Sequence, residues 1–284
     1  MRDDFACFIL TNGRPDNVLT VHSLEYAGYT GKWYLVLDTD DPTADRYRAR
    51  YGADRVLTFE KEDHPPFDLG DNGGTKRVII YARNATDALA RQLGLSCYLQ
   101  LDDDYTFFGH RYQIDDGPLL GKQARYLDDV FDAFLAFLDE TGALTVALSQ
   151  GGDHFGGAAG AVWKSGLRRK AMNSFFVRTG RPVPFVGRIN EDVNTYVTLG
   201  MRGEQLWTVA DFYLVQSPTQ GTPGGMSGTY LDTGTYLKSF YSVMFCPSAV
   251  SVAAMGSVAP RIHHRVDWAH CVPKVLPERY RRSA

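Results

Sequence analysis

Leu99 to His110 reads "LQLDDDYTFFGH", three aspartates closing an apolar run. Adjacent carboxylates repel one another unless a cation, donors or water offset them. Hard divalent cations such as Mg²⁺ and Mn²⁺ take carboxylate oxygens and keep water or a substrate phosphate as further ligands. In an extended segment alternate side chains share a face, so Asp102 and Asp104 form a D-x-D pair and Asp103 points away. The plainer alternative is an acidic turn at a strand end. A second acidic pair, Glu191 and Asp192 in "INEDVNTYVTLG", has two readings of its own. Asn190 caps a helix whose first turn favours acids, or one acid serves as a general base on an acceptor hydroxyl.

Other residues suit a phosphorylated ligand. In "TNGRP", Thr11 and Gly13 precede a helix start where anions are favoured, and Arg14 can pair with a diphosphate. Asp38, closing another apolar run, is a candidate acceptor for a base or ribose. Arg77, Arg83 and Asn84 lie on or beside a helix face away from the apolar stripe, where solvation is the bland alternative. His263 and His264, in "RIHHR", include an imidazole able to complete a metal site begun by Asp104.

These residues need a frame. Phe5–Thr11, Trp33–Asp38, Arg55–Phe59 and Cys97–Leu101 are short apolar runs of strand type, with helical patterns between them. The helices are expected over Asp16–Ala27, capped by Asp16 and ended by Gly28, then up to Gly52, then over Lys76–Leu93. The third buries Val78, Ala82, Ala85, Leu89 and Leu93. Alternating strand and helix means a parallel α/β sheet. Ligands of such sheets collect beyond the strands' carboxyl ends. Thr11 to Arg14, Asp38 and the aspartates should therefore meet on one rim. Farther on, Tyr126–Asp139 reads as an amphipathic helix and Leu144–Ser149, Met172–Val177 and Gln205–Gln216 as strands. Glycine-rich segments hold Gly151, Gly152 and Phe155, and then Gly224 and Gly225. With no repeat or linker, a single domain over 1–284 is expected, with a ligand half (1–110) and an elaborated carboxyl half (111–284).

The four cysteines lack a CxxC pair, against a zinc knuckle; Cys7 and Cys97 read as buried structural thiols. No run approaches the roughly 18 apolar residues of a membrane span. Acids precede the first apolar run, which argues against a signal peptide and for a cytoplasmic protein without membrane contact. A net charge of -3 argues against a general nucleic-acid coat. Local basic runs, among them Arg168, Arg169, Arg261, Arg265 and the Arg279 to Arg282 tail, can still grip phosphates.

With "FILTNGRP", "LQLDDDYTFF", "SQGGDHFGG", "INEDVNTY", "SPTQGTPGGM" and "YLKSF" in this order, the chain resembles the phage TET/JBP-associated glycosyltransferases, of GT-A type. The resemblance spans nearly the whole chain. It implies a GT-A-like, Rossmann-type, mainly parallel sheet flanked by helices, with an acceptor-binding carboxyl half. It also implies a nucleotide-sugar donor such as UDP-glucose, and transfer to the hydroxymethyl group of a modified pyrimidine in phage DNA inside the infected host. By analogy Asp102, Asp103 and Asp104 hold the donor, with a Mn²⁺ or Mg²⁺ ion on Asp102, Asp104 and His263 or His264. Asp192, with Glu191 beside it, would be the base of a direct, inverting displacement. Gly151, Gly152, Phe155, Gly224, Gly225, Arg168 and Arg169 would face the acceptor, with Phe155, Phe185 or Tyr230 to stack a flipped base. A nucleotidylyltransferase is the second reading, although "NGRP" makes a poor phosphate loop; a transferase with a non-DNA acceptor is another. A binding module without catalysis would be expected to lose its acids.

Overall fold

The computed structural model describes residues 1–63, 78–217, 237–255, 261–273 and 278. The first half winds as its alternating pattern dictates: β1 (Phe5–Leu10), α1 (Leu19–Tyr26), β2 (Lys32–Asp38), α2 (Ala44–Tyr51), β3 (Val56–Phe59), α3 (Ile80–Gln92) and β4 (Cys97–Asp102). β1 pairs in parallel with β2 and with β4, and β2 with β3. β1 is buried along its whole length. Ala6, Phe8 and Leu10 pack on the α3 face, while Phe5, Cys7 and Ile9 pack on the α1 and α4 face. An apolar run without alternation is what a strand covered on both sides requires.

The second half continues the same sheet with different pairing. Its elements are β5 (Tyr105–Gln113), β6 (Leu119–Gln123), α4 (Leu127–Thr141), β7 (Thr145–Ser149), α5 (Ala161–Ser165), β8 (Leu167–Arg168), β9 (Ser174–Arg178), α6 (Glu191–Met201), β10 (Leu206–Gln216), a helix over residues 237–245 (α7), β11 (Val250–Met255) and β12 (Arg261–Val266). The order is β3-β2-β1-β4-β9-β7-β10-β5-β6, with β8 beside β10 and β11-β12 as a separate pair. β9 runs antiparallel between β4 and β7, and β5 antiparallel to β10. The sheet is thus parallel through its first four strands and mixed beyond them. The β5–β6 hairpin turns at "DDGP" (Asp115 to Pro118), with Asp115 at φ +51, a turn signal in the sequence; the hairpin was not among the expected elements.

Several helix ends differ from expectation. α1 begins at Leu19 with no side-chain cap; Asp16 instead pairs with Arg46 and Arg50. Gly28 does follow α1, at φ +85, and a Cβ there would sit 2.4 Å from the Arg125 carbonyl oxygen. Of the expected stripe, Ala85 and Leu89 on α3 and Val78 just before it are buried, but Leu93, just after it, is 37% exposed. The inward face also takes in Arg83, Thr86 and Asp87. Gly200 lies within α6, close against the Cys271 carbonyl. All four cysteines are buried free thiols. Among the described residues no helix is long and apolar enough to cross a membrane.

Candidate functional site

β4 ends at Asp102 and β5 starts at Tyr105, so Asp103 and Asp104 form the turn between them. Thr20, at the start of α1, pins that turn. Its hydroxyl donates to the Asp102 carbonyl at 2.6 Å and accepts from Tyr105 N at 3.0 Å, while its N–H donates to the Asp103 carbonyl at 3.2 Å. The three carboxylates diverge. Asp102 Oδ1 receives Arg83 Nη2 at 2.9 Å. Asp103 turns the other way and accepts from the Thr11 hydroxyl at 2.6 Å and Arg14 Nη2 at 2.7 Å. Asp104 Oδ2 accepts from Gln216 Nε2 at 3.2 Å, and among the described residues its buried Oδ1 has no partner. Two cations thus offset two of the charges. Burial still outweighs them and pushes Asp102 up to about 7 and Asp103 up to about 6, with Asp104 also raised.

Arg83 joins the two acidic motifs. It is 2% exposed, and its Nε donates to Glu191 Oε1 at 3.0 Å while Nη2 holds Asp102. Phe175 and Phe185 flank the guanidinium at 5.0 and 5.5 Å. A charged residue on a helix reads as solvent-facing. Here it is an internal cation facing two carboxylates, as burial demands. Its neighbour Asn84 is likewise spent internally: its side chain donates to the Phe185 carbonyl and accepts from Phe185 N, at 3.2 and 3.0 Å. Both side chains position the site's walls.

The strand ends do gather on one rim. Tyr47 OH lies 2.8 Å from Thr11 Oγ1 and accepts from Arg14 N at 2.8 Å, closing a network with Asp103. Gly13, at φ +68, donates its N–H to Asp41 at 2.9 Å, and a Cβ there would meet nothing within 4 Å. Asp38 is buried and ion-paired with Lys61. Tyr47, Asp41, Lys61 and Gln216 were absent from the sequence reading. Each touches the rim through a fold contact distant in sequence, with no local motif to mark it.

Glu191 and Asp192 open α6, where backbone dipoles favour acids. Asn190 does not cap it: no side-chain cap bond forms, the residue sits at φ +53, and its amide donates to the Lys238 carbonyl at 2.7 Å. Glu191 is committed to Arg83. Asp192 accepts from Val193 N at 2.7 Å through Oδ1; among the described residues its Oδ2 holds no hydrogen bond. Burial, with the Glu191 charge beside it, raises Asp192 to about 6. A buried carboxylate with a lifted pKa and an open oxygen can take a proton near neutral pH.

His263 and His264 lie on β12. His263 Nδ1 is 2.8 Å from the His264 carbonyl. Burial lowers His264 to about 4, so it is neutral at physiological pH. Among the described residues no three His, Cys, Asp or Glu side chains gather as a metal cluster. The histidine pair is therefore not brought into one ligand set with Asp102 and Asp104. The buried Asp104 Oδ1 does fit a cation, since among the described residues no donor reaches it.

Gly151 and Gly152 lie in a short 3-10 turn (Gly151–His154), followed by Phe155, which is 83% exposed. Phe185 is buried against Phe175 and is not a free stacking face. Arg168 and Arg169 lie over the rings of Trp268 and Trp207. Arg77, Gly224, Gly225, Tyr230 and the Arg279 to Arg282 tail lie outside the described residues, as does the Arg261 side chain.

The mixed α/β sheet, parallel in its first half and flanked by helices, is a GT-A-like, Rossmann-type α/β fold. The family model of the TET-Associated Glycosyltransferases matches residues 5–225, and the chain belongs to that family. It is a glycosyltransferase and uses a nucleotide-sugar donor. A search of curated proteins gives no match.

Proposed function

We propose that this glycosyltransferase moves a sugar, glucose first among the candidates, from a UDP-sugar to the hydroxyl of a hydroxymethylated pyrimidine in phage DNA, in the host cytoplasm. The observation that supports the reading is the Arg83 bridge, which ties Asp102 on the rim to Glu191, the neighbour of Asp192. Asp192 removes the proton of the acceptor hydroxyl as its oxygen attacks the anomeric carbon and the bond to the diphosphate breaks, giving inversion. Thr11, Gly13 and Arg14 bind the donor, with Arg14 supplying positive charge for the diphosphate. Asp38 and Lys61 close the base and ribose end. Asp102 and Asp104 would hold a Mn²⁺ or Mg²⁺ ion, which when bound neutralises charge on the leaving diphosphate. Arg83 positions Asp102 and Glu191 without touching the substrate.

The test is incubation with Mn²⁺, a panel of nucleotide sugars and hydroxymethylcytosine DNA, followed by mass analysis of the nucleosides. A hexose adduct on the modified nucleoside is expected. Donor consumption with no adduct on DNA overturns the acceptor and leaves a small-molecule transferase.

A further inference from the structure

Arg168 and Arg169 belong to a feature that the reaction above leaves unused. α6, β8, the start of β10 and the turn Trp268–His270 enclose a cleft of about 380 Å³. That lies within the roughly 300–1,000 Å³ of small-ligand sites. Its walls are aromatic: Trp207, Trp268 and Tyr196. The Tyr196 and Trp268 rings stack at 5.6 Å and 16°. The Arg168 guanidinium sits 4.8 Å from the Trp268 ring centre, and that of Arg169 sits 5.9 Å from Trp207. Among the described residues no carboxylate pairs with Arg168. Glu204, the acid in the cleft wall, places its carboxylate 3.1 Å from Arg181 instead.

Flat π surface beside a guanidinium without an acidic partner matches a base joined to a phosphate. A neutral sugar could stack on the rings and accept from the guanidinium but would leave its charge unmatched, as would an apolar peptide. The location also selects the acceptor over the donor. Tyr196 follows Asp192 by one turn on the same face of α6. Gln216, which holds Asp104, closes the 11-residue β10 at its far end from Trp207; a bulge between Val209 and Tyr213 shortens the span, to on the order of 20 Å at about 3.3 Å per step of the partner strand.

We propose that this cleft is a subsite for one nucleotide of the acceptor strand, flanking the nucleotide that reacts, with its base against Trp268 and Trp207 and its phosphate on Arg168. The inference rests on the DNA-acceptor reading above and adds a place where the strand is gripped. Stacking with little edge recognition makes the subsite tolerant of base identity.

The test is anisotropy of a labelled, unmodified single-stranded oligonucleotide, read together with quenching of tryptophan emission. Arg168→Gln should weaken binding at least tenfold. It should also flatten the slope of log affinity against log salt by about 0.7, the share of one phosphate contact on a single strand. Trp268→Leu should lose both affinity and part of the quenching, whereas Trp268→Phe keeps most of the affinity. Acceptor-free donor hydrolysis should stay within twofold in all three. Oligonucleotide affinity and salt slope unchanged in a normally melting Arg168→Gln variant overturn the subsite. If the wild type glycosylates modified DNA and the cleft variants do so equally, the subsite fails and the acceptor reading stands. If binding depends on the cleft but no DNA is modified, the acceptor reading fails and the cleft remains a nucleic-acid site.

Discussion

Arg83→Met removes the one cation between Asp102 and Glu191 while keeping the length of the side chain. Both ion pairs are short, at 2.9 and 3.0 Å, and almost wholly shielded from water. Two carboxylates left there cannot both stay ionised. Asp102 titrates near 7 in the wild type, and loss of the cation raises it further. Breaking a buried pair by removing one partner costs roughly 3–5 kcal/mol. Above pH 7 the native variant also holds a proton that the native wild type has released. Unfolded chains of both proteins titrate alike, so the deficit should grow by up to about 1.4 kcal/mol per pH unit from about pH 7 to 9. Urea unfolding of both proteins across that range measures it. Arg83→Lys, which keeps the charge but not the two-pronged geometry, should show little of that slope while still lowering transfer. A deficit below about 1 kcal/mol, or one independent of pH, refutes Arg83 as the neutralising link between the two motifs.

Asp192→Asn should cut transfer by a factor on the order of 10² or more with donor binding and melting temperature nearly unchanged; a stable, fully active variant rules out the base. In the wild type the same residue must be ionised to act, so transfer should rise with pH through about 6, and the pH–rate profile of the Asn variant should lose that limb. Asp104→Ala should abolish donor turnover and the Mn²⁺ dependence of UDP binding in calorimetric titration, and unchanged metal dependence would sink that assignment. The folded pKa values of Asp102 and Asp103 lie above their unfolded values. Their stabilisation is complete below about pH 3.9 and is lost as pH rises through about 6 to 7. Metal-free protein should accordingly show a falling urea midpoint from pH 5 to 8, and a flat or rising midpoint contradicts the burial of those carboxylates.

The sequence by itself determined the parallel opening and the rim. β1, β2, β3 and β4 are continuous apolar runs because they are covered on both faces, and such runs separated by helical patterns leave few topologies open. Strand ends of a parallel sheet share one edge, so Thr11, Arg14 and the three aspartates were bound to meet there. Asp103 does turn away from Asp102, but through the β4–β5 turn rather than by the alternation of an extended strand. Tertiary structure decided what local pattern does not encode. β9 and β5 run antiparallel in the sheet because of long-range pairing, and no periodicity distinguishes strand direction. Arg83 reads as a candidate for the phosphorylated ligand or as a solvated helix charge, since hydrophobic patterning has no symbol for a buried cation, and the convergence of Asp102 and Glu191, 89 positions apart in the chain, makes its burial tolerable. Of the acids in the second motif, either could have been the base from the sequence alone. The fold gives Glu191 to Arg83 and leaves an oxygen of Asp192 open, because the start of α6 is laid against α3 at a distance that one guanidinium spans.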